Sequence, residues 1–574
     1  MKKTHIFSLL LFLLSQSPLI AQSPQANVLR DTDQNALGRL SQTIQSNHAT
    51  QMQRARSLAQ RHGWPMEIYD VDGNRSVLYG ADAQENPIYE ENQGLVGVED
   101  MKVNNIWPGG FIGTGVTGAG MTLGMWEGHY ANPDHVEFGT RINVVDPGTM
   151  TEPGSHATRV AGCAIAEGVE LAAIGTAYEA DMRSFALDNS DPYTGQMATE
   201  AAAGLLVSTH SHGGAPINTY TVPAMEVDQI TQYAPYYLPV ISSGNGGFSW
   251  IQSLGNAKNA LTVGSADPLL TTYGDPTDIT VSNFSSTGPT HGGRMKPEVI
   301  GIGSGIYAPD YDPGSPSNNY YTGGNLGTSF ATPHTAGTVL LLQELHADLY
   351  SEFMEANVLK ALVCHTAMDA VTPGPDYLSG YGLVNAQKAA DFIVKKNCNG
   401  FLFQTGEVFT GTTDQITVNA SANGPLRATV VWNDLPGTGS STQNFASSQI
   451  NDLNITLVHQ GTGTIYHPWV LDPSAPFDPA TTGVNSRDNI EQIYVENPLP
   501  GAYWLQISHS TTGNGNGGLG TPNWQTYGVV VGEYQDELLV NTELITPSNG
   551  TFNSASIDIT ISGPSTYTVN WTGP

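Results

Sequence analysis

The spacing of apolar positions changes character three times along the chain. "NHATQMQRARSLAQRHG" (47–63) carries apolar residues at helical spacing and stops at Gly63. "MEIYDVDGNRSVLY" (66–79) reads as a hairpin turning at Asp72-Gly73. From Gly120 to Lys396, strand-length apolar runs alternate with helical stretches: "MTLGMW" (121–126) before "ATRVAGCAIAEG" (157–168), then "YLPVISSG" (237–244), "NALTVGSA" (259–266) and a late apolar helix after Ser329. This alternation predicts a three-layer α/β domain with a mostly parallel sheet covered on both faces. After Cys398 the segments become short and alternating, with Gly, Pro and Asn turns between them: "DQITVNA", "LRATVVW", "LNITLVH", "EQIYVEN", "AYWLQIS" and "YGVVVGEY". They predict an antiparallel, jelly-roll-like β-sandwich over residues 400–536. Residues 541–574 hold "SIDITIS" and "TYTVNW", a tail or the start of a further β module.

The N-terminus, "MKKTHIFSLLLFLLSQSPLIAQS", places two lysines before a short apolar run and small residues. It predicts a signal peptide over residues 1–21, cleaved after Ala21, and an exported, extracellular protein. No later stretch is long and apolar enough to span a bilayer. Residues 22–100 then form a pro-region or an N-terminal brace ahead of the α/β block. Of the 574 residues, 52 are acidic and 21 basic, a net charge of −31 that disfavours nucleic acid and anionic membranes as partners. Three cysteines, Cys163, Cys364 and Cys398, form neither a disulfide framework nor a zinc motif.

The candidate chemistry starts in "GNLGTSFATPHTAGTVLLLQEL" (324–345). If Ser329 opens this helix, its hydroxyl sits at the positive end of the dipole, and Pro333 lacks the N–H that would close onto the Ser329 carbonyl. An ordinary N-cap serine on a core helix fits the stretch equally well.

Gly327-Thr328-Ser329-Phe330-Ala331-Thr332-Pro333-His334 resembles the nucleophile motif of the subtilases, the subtilisin-like serine peptidases. The resemblance runs on as an ordered series over residues 101–396 and implies a peptidase domain there, with polypeptides as substrates. It makes Ser329 the nucleophile and His156 its base, the latter in "HATRVAG" (156–162), which departs from the family pattern at Ala157 and Arg159. Asn245, in "SSGNGG" (242–247), takes the oxyanion role. Ser211, His212 and Gly213, with Ser243 and Gly244, take the substrate-binding strands. The acid position holds Glu127 where the family has Asp, with Asp134 as the rival; Glu is longer by one methylene and needs a fold-back or a strand shift. A related family with the same fold pairs Ser with Glu and Asp at acid pH, but His156 and Asn245 point away from it and towards work at neutral or alkaline pH.

The chemistry needs no cofactor. The family often binds structural calcium, which places a candidate ligand at Glu137 and further oxygen-rich turns at Asn451–Asn454 and Ser486–Gln492. A second reading makes the chain a weakly active or inactive subtilase-fold protein that binds a surface or a polysaccharide. Trp432, Trp469 and Trp504 would then be the sugar-facing aromatics.

Overall fold

A computed structural model describes residues 24–562 apart from 70–74, 83–84, 92–96, 111–113, 189–190, 216, 271–272, 397–400, 423, 511–522, 534–538 and 546–555. The signal segment, the Asp72-Gly73 turn, Cys398 and "TYTVNW" lie outside the described residues.

The N-terminal region begins with α1 (Pro24–Asp31) and the long α2 (Gln34–His62). Asp33 caps α2 by accepting the Ala36 N–H, and Gly63 ends it at φ +74°, a conformation that costs glycine no Cβ clash. One side of α2 packs on two helices of the α/β domain, α4 (Tyr193–Ala202) and α5 (Val222–Tyr233). The expected hairpin is present as β1 (Glu67–Tyr69) and β2 (Arg75–Ala81), paired antiparallel. A third strand that the pattern did not announce, β3 (Pro87–Glu91), continues this sheet.

The α/β domain is built on β4 (Thr122–Glu127), β5 (Ile142–Asp146), β6 (Asp181–Ala186), β7 (Val207–His210), β9 (Leu238–Ser242), β10 (Leu261–Ala266) and β11 (Val299–Ile302), in spatial order β11-β10-β9-β7-β4-β6-β5. Every pairing in this sheet is parallel. The two-residue β8 (Gly213–Gly214) follows β7 and pairs with β3 instead. Helix α3 (Ser155–Ile165) follows β5, and a hairpin of β12 (Ser304–Asp310) and β13 (Asn319–Leu326) leads into α6 (Thr328–Tyr350). Val339, Leu340, Leu341 and Leu342 in α6 are all fully buried, as a helix without a polar face requires. Helices α7 (Ala356–Thr366) and α8 (Ala386–Val394) complete the layer. Cys163 and Cys364 are free buried thiols, so no bridge joins them.

The C-terminal region is a sandwich of two antiparallel four-stranded sheets. One sheet uses β14 (Leu402–Phe409), β23 (Trp524–Glu533), β16 (Leu426–Val431) and β21 (Ile490–Val495). The other uses β15 (Thr413–Ala420), β22 (Gly501–His509), β17 (Leu453–His459) and β18 (Ile465–Tyr466). Two small ribbons, β19 (Trp469–Val470) with β20 (Thr481–Thr482) and β24 (Leu539–Ile545) with β25 (Ser556–Ser562), stand apart.

The sandwich is locked to the α/β domain by buried polar chemistry as well as by packing. Lys258 has no solvent exposure; its Nζ donates to Asp434 Oδ2 at 2.6 Å and to the Ser448 carbonyl at 2.9 Å. Asn259 and Asp434 exchange side-chain and backbone hydrogen bonds, and the Met295 N–H donates to Asp488 Oδ1 at 2.8 Å. Helix α7 lies against β16 and β23, where a Cβ on Gly528 would strike the Val358 backbone. An unpaired charge in such a place costs far more than the pair gains. Lys258→Met should therefore lower unfolding free energy by about 3–5 kcal/mol in denaturant melts. The two domains should still unfold in one transition; two separate transitions in the unaltered protein would disprove the lock.

Candidate active site

The carboxyl ends of β4, β7 and β9 and the N-termini of α3 and α6 supply the candidate residues. The geometry there starts from Glu127, the last residue of β4, which is fully buried. Its neighbour Trp126 points to the opposite face, stacked on Phe185 (4.5 Å) and His210 (5.2 Å), with its indole N–H donated to Gln196 Oε1 at 2.9 Å. Gly124 makes room for that indole, since a Cβ there would lie 2.7 Å from the ring. The anchored tryptophan fixes the strand register and turns Glu127 the other way.

Glu127 Oε2 meets His156 Nδ1 at 3.1 Å. Asp134, the rival acid, is exposed and accepts nothing from His156. His156 rides on the first turn of α3, with its ring 5.0 Å from that of Phe330. The Arg159 that departs from the family pattern holds this helix in place: it forks onto Asp310 at 2.8 and 3.1 Å and stacks over Tyr321 at 3.9 Å, tying α3 to the β12–β13 hairpin. His156 Nε2 and Glu127 Oε1 are buried and have no hydrogen-bond partner among the described residues. Buried polar atoms without partners are costly and mark a place where a partner is expected to arrive.

Ser329 is the second residue of α6, beside Phe330. Pro333 removes the N–H that would normally reach the Ser329 carbonyl, and the hydroxyl of Ser211 donates to that carbonyl instead. In return Ser329 Oγ donates to the Ser211 carbonyl at 3.2 Å. The proline thus frees one backbone acceptor, and the freed acceptor ties the α6 N-terminus to the end of β7.

Asn245 caps the same helix from a separate loop. Its Oδ1 accepts the Thr328 N–H at 2.8 Å and the Thr328 hydroxyl at 3.1 Å, which commits the oxygen and leaves the amide N–H groups for a ligand. Ser243 is buried, with Oγ donated to the Ser286 carbonyl at 2.8 Å. Gly244 stands at φ +107°, and a Cβ there would meet Ser286 Oγ at 2.9 Å. The His212 ring is buried against Tyr193 (4.8 Å), so that residue offers only its backbone to the cleft.

Gln252 is a member of the site that the motifs did not reveal. Its amide donates to the Ser242 carbonyl at 2.8 Å and the His212 carbonyl at 3.2 Å, bridging the two strand ends that flank the cleft. A Cβ on Gly213 would lie 2.5 Å from the Gln252 amide carbon, so the glycine and the glutamine fit as a pair. Along Gly213–Gly214, the edge expected to receive an extended substrate, Glu91 and Glu90 of β3 pair as an antiparallel strand.

His334 plays a different part from His156. Burial pushes its pKa down to about 4, so it stays neutral, facing the Ile302 carbonyl at 3.3 Å.

Glu137 does not suit a cation. Its oxygens accept the N–H groups of Gly168 (2.7 Å), Val169 (3.0 Å) and Glu170 (2.8 Å) and the Tyr320 hydroxyl (2.8 Å). Four donors converge where calcium would need acceptors. In the sandwich turns the reverse holds: Asp452 Oδ1, Glu491 Oε1 and Gln449 Oε1 are buried acceptors without a donor. Burial pushes both carboxyls up, Glu491 strongly, and the charge of Asp452 raises Glu491 further. Among the described residues no group of three His, Cys, Asp or Glu side chains gathers to hold a metal. Trp432 is core, Trp469 packs on Gly374 and Trp504 is partly exposed on β22, so the three do not share one face.

Residues 100–382 match the model of the subtilase family. Pyrolysin of Pyrococcus furiosus is 30% identical over 226 residues, covering 34% of this chain and 15% of pyrolysin. Subtilisin BL of Lederbergia lenta is 27% identical over 284 residues, covering 48% of this chain and 92% of that enzyme. The chain therefore spans a small part of pyrolysin but most of subtilisin BL. Among solved structures, fervidolysin of Fervidobacterium pennivorans aligns with a TM-score of 0.43 at 16% identity, over 72% of this chain and 67% of that one.

The donor nest around Glu137 yields a direct test. Glu137→Gln places an amide N–H against donors and should cost about 2–4 kcal/mol in denaturant melts. A variant as stable as the unaltered protein would show that the nest carries no load.

Proposed function

Residues 100–382 have the subtilase fold, and from that premise we propose that the chain is an exported serine endopeptidase whose acid is glutamate. The observation that carries this reading is the contact of Glu127 with the base: the longer side chain delivers its carboxylate to His156 Nδ1 at 3.1 Å. That contact holds the proton on Nδ1 and leaves Nε2 bare as the base. Ser329 Oγ turns from the Ser211 carbonyl to His156 Nε2, gives up its proton there and attacks the peptide carbonyl. The oxyanion receives the Asn245 amide and the Ser329 N–H, while the dipole of α6 favours the negative charge. His156 then passes the proton to the leaving amine, and water hydrolyses the acyl-enzyme by the same relay. The substrate lies extended between the ends of β7 and β9, as an added strand.

Because β3 already pairs with Gly213–Gly214, residues 22–100 serve as a pro-region rather than a permanent brace. A structural cation, by the chemistry of its donors, goes to Asp452 and Glu491, whose buried Oδ1 and Oε1 lack a donor, and offsets the cost that burial places on their charge. The binding-protein reading has no comparable support, since Trp432 is fully buried.

Ser329→Ala should abolish casein hydrolysis in a protein that melts normally; full activity would reject the nucleophile. Glu127→Gln should lower turnover by about 10⁴. Glu127→Asp should also lose activity, because the strand is set for the longer side chain. Turnover that depends on Asp134 and is indifferent to Glu127 would overturn the acid assignment. Adding calcium to chelator-treated protein should raise the thermal midpoint, and Glu491→Gln should remove the rise. A midpoint that ignores calcium in the unaltered protein rejects that site.

A further inference from the structure

Large aromatic side chains beside the Asn245 loop remain in water. Trp250 is 50% exposed, Phe248 45% and Phe477 64%. Isolated exposed apolar residues need no explanation, but Phe248 and Phe477 are in contact and Trp250 lies two residues along the same loop as Phe248. The Trp250 indole lies directly over Gly246, the residue after Asn245; a Cβ there would stand 1.9 Å from the ring. Phe248 is three residues from Asn245, a span of about 10 Å at most. Its ring meets Phe477, from the sandwich, at 4.6 Å.

The rim is held rigidly from both domains. Asn218 donates to Ser249 Oγ at 3.0 Å and accepts the Ile251 N–H at 2.6 Å, fixing the loop that carries the two aromatics. The sandwich loop reaches the same neighbourhood: the Ser440 N–H donates to the Tyr220 carbonyl at 2.9 Å, and the tilted Phe445 ring lies 4.4 Å from that of His291. The His291 N–H in turn donates to the Asn218 carbonyl at 2.8 Å. The Lys258–Asp434 ion pair holds the two domains together, and the Phe477 ring meets Phe248 across their junction.

We propose that Phe248, Trp250 and Phe477 are a substrate-binding rim, and that the sandwich thereby forms part of the peptidase cleft. The occupant is the polypeptide substrate itself, through an aromatic or aliphatic side chain close to the scissile bond. The rim is continuous with the oxyanion loop, and a peptide carbonyl held by Asn245 brings its flanking side chains to Gly246 and the indole above it. Aromatic surface that stays exposed beside a cleft gains most from an apolar partner that covers it. The proposal rests on the endopeptidase reading above and adds a preference that no motif residue specifies.

The test uses the exported protein in its processed, active form and two fluorogenic peptides that differ only at the positions flanking the cleaved bond, Phe and Leu in one and Ser in the other. Trp250→Ser and Phe477→Ser should each raise KM for the apolar peptide by about 3- to 10-fold and shrink its advantage over the polar one, with kcat little changed. Leu270→Ser, which removes a still more exposed apolar residue elsewhere, should leave both constants alone. Labelling of Ser329 by a fluorophosphonate separates the two levels of the claim. A labelled enzyme whose peptide preference is untouched by either rim variant overturns the rim. Failure to label the unaltered protein overturns the endopeptidase reading beneath it. Rim variants that convert a dimer to monomers, with peptide preference intact, would make the patch a self-association face and also overturn the proposal.

Discussion

A carboxylate with no exposure to water must be met by donors or by a positive charge, and among the described residues Glu127 meets His156. Much of the site follows from that demand. Glu127 ends a central strand whose register is fixed by Trp126, sandwiched between Phe185 and His210. The carboxylate therefore cannot retreat to solvent, and the imidazole cannot leave without stranding a buried charge. The helix that brings the imidazole is pinned in turn by Arg159 on Asp310. A chain of buried polar contacts thus runs from the sheet, through the base, to the hairpin that leads into the Ser329 helix.

The N-terminus of that helix is built by other parts of the chain. Gly327 has no side chain to cap it, Pro333 deletes one internal hydrogen bond, and the missing partners come from Asn245 and Ser211. Each substitute is a residue with a place in the proposed reaction. Satisfying the helix end and assembling the site are the same act, which keeps the groups fixed before any substrate arrives. The sandwich docks on this domain through Lys258 and Asp434, and a loop of the sandwich brings the ring of Phe477 beside Phe248.

The sequence was most readable where a backbone requirement and a side-chain requirement coincide. Pro333 after Ser329, glycines around Asn245 and the alternating strands of the sandwich all leave local traces. What escaped was non-local. Strand β3 pairs on one side with Gly213–Gly214, far along the chain, and β14 runs through Gly406, over which a Tyr527 ring lies. Gln252 and Arg159 matter because of what they bridge, and neither has a local signature. Glu137 faces N–H groups and a hydroxyl, and spacing reveals a carboxylate but not which groups will face it.

Nitrogen NMR of the histidine rings, with His156 assigned by difference against His156→Ala, tests the central claim most directly. The account predicts that at neutral pH the His156 proton resides on Nδ1, hydrogen-bonded to Glu127, with Nε2 unprotonated. Replacing Glu127 by glutamine should shift that proton. A proton on Nε2 in the unaltered protein, or a Nδ1 signal indifferent to the Glu127 substitution, would contradict it.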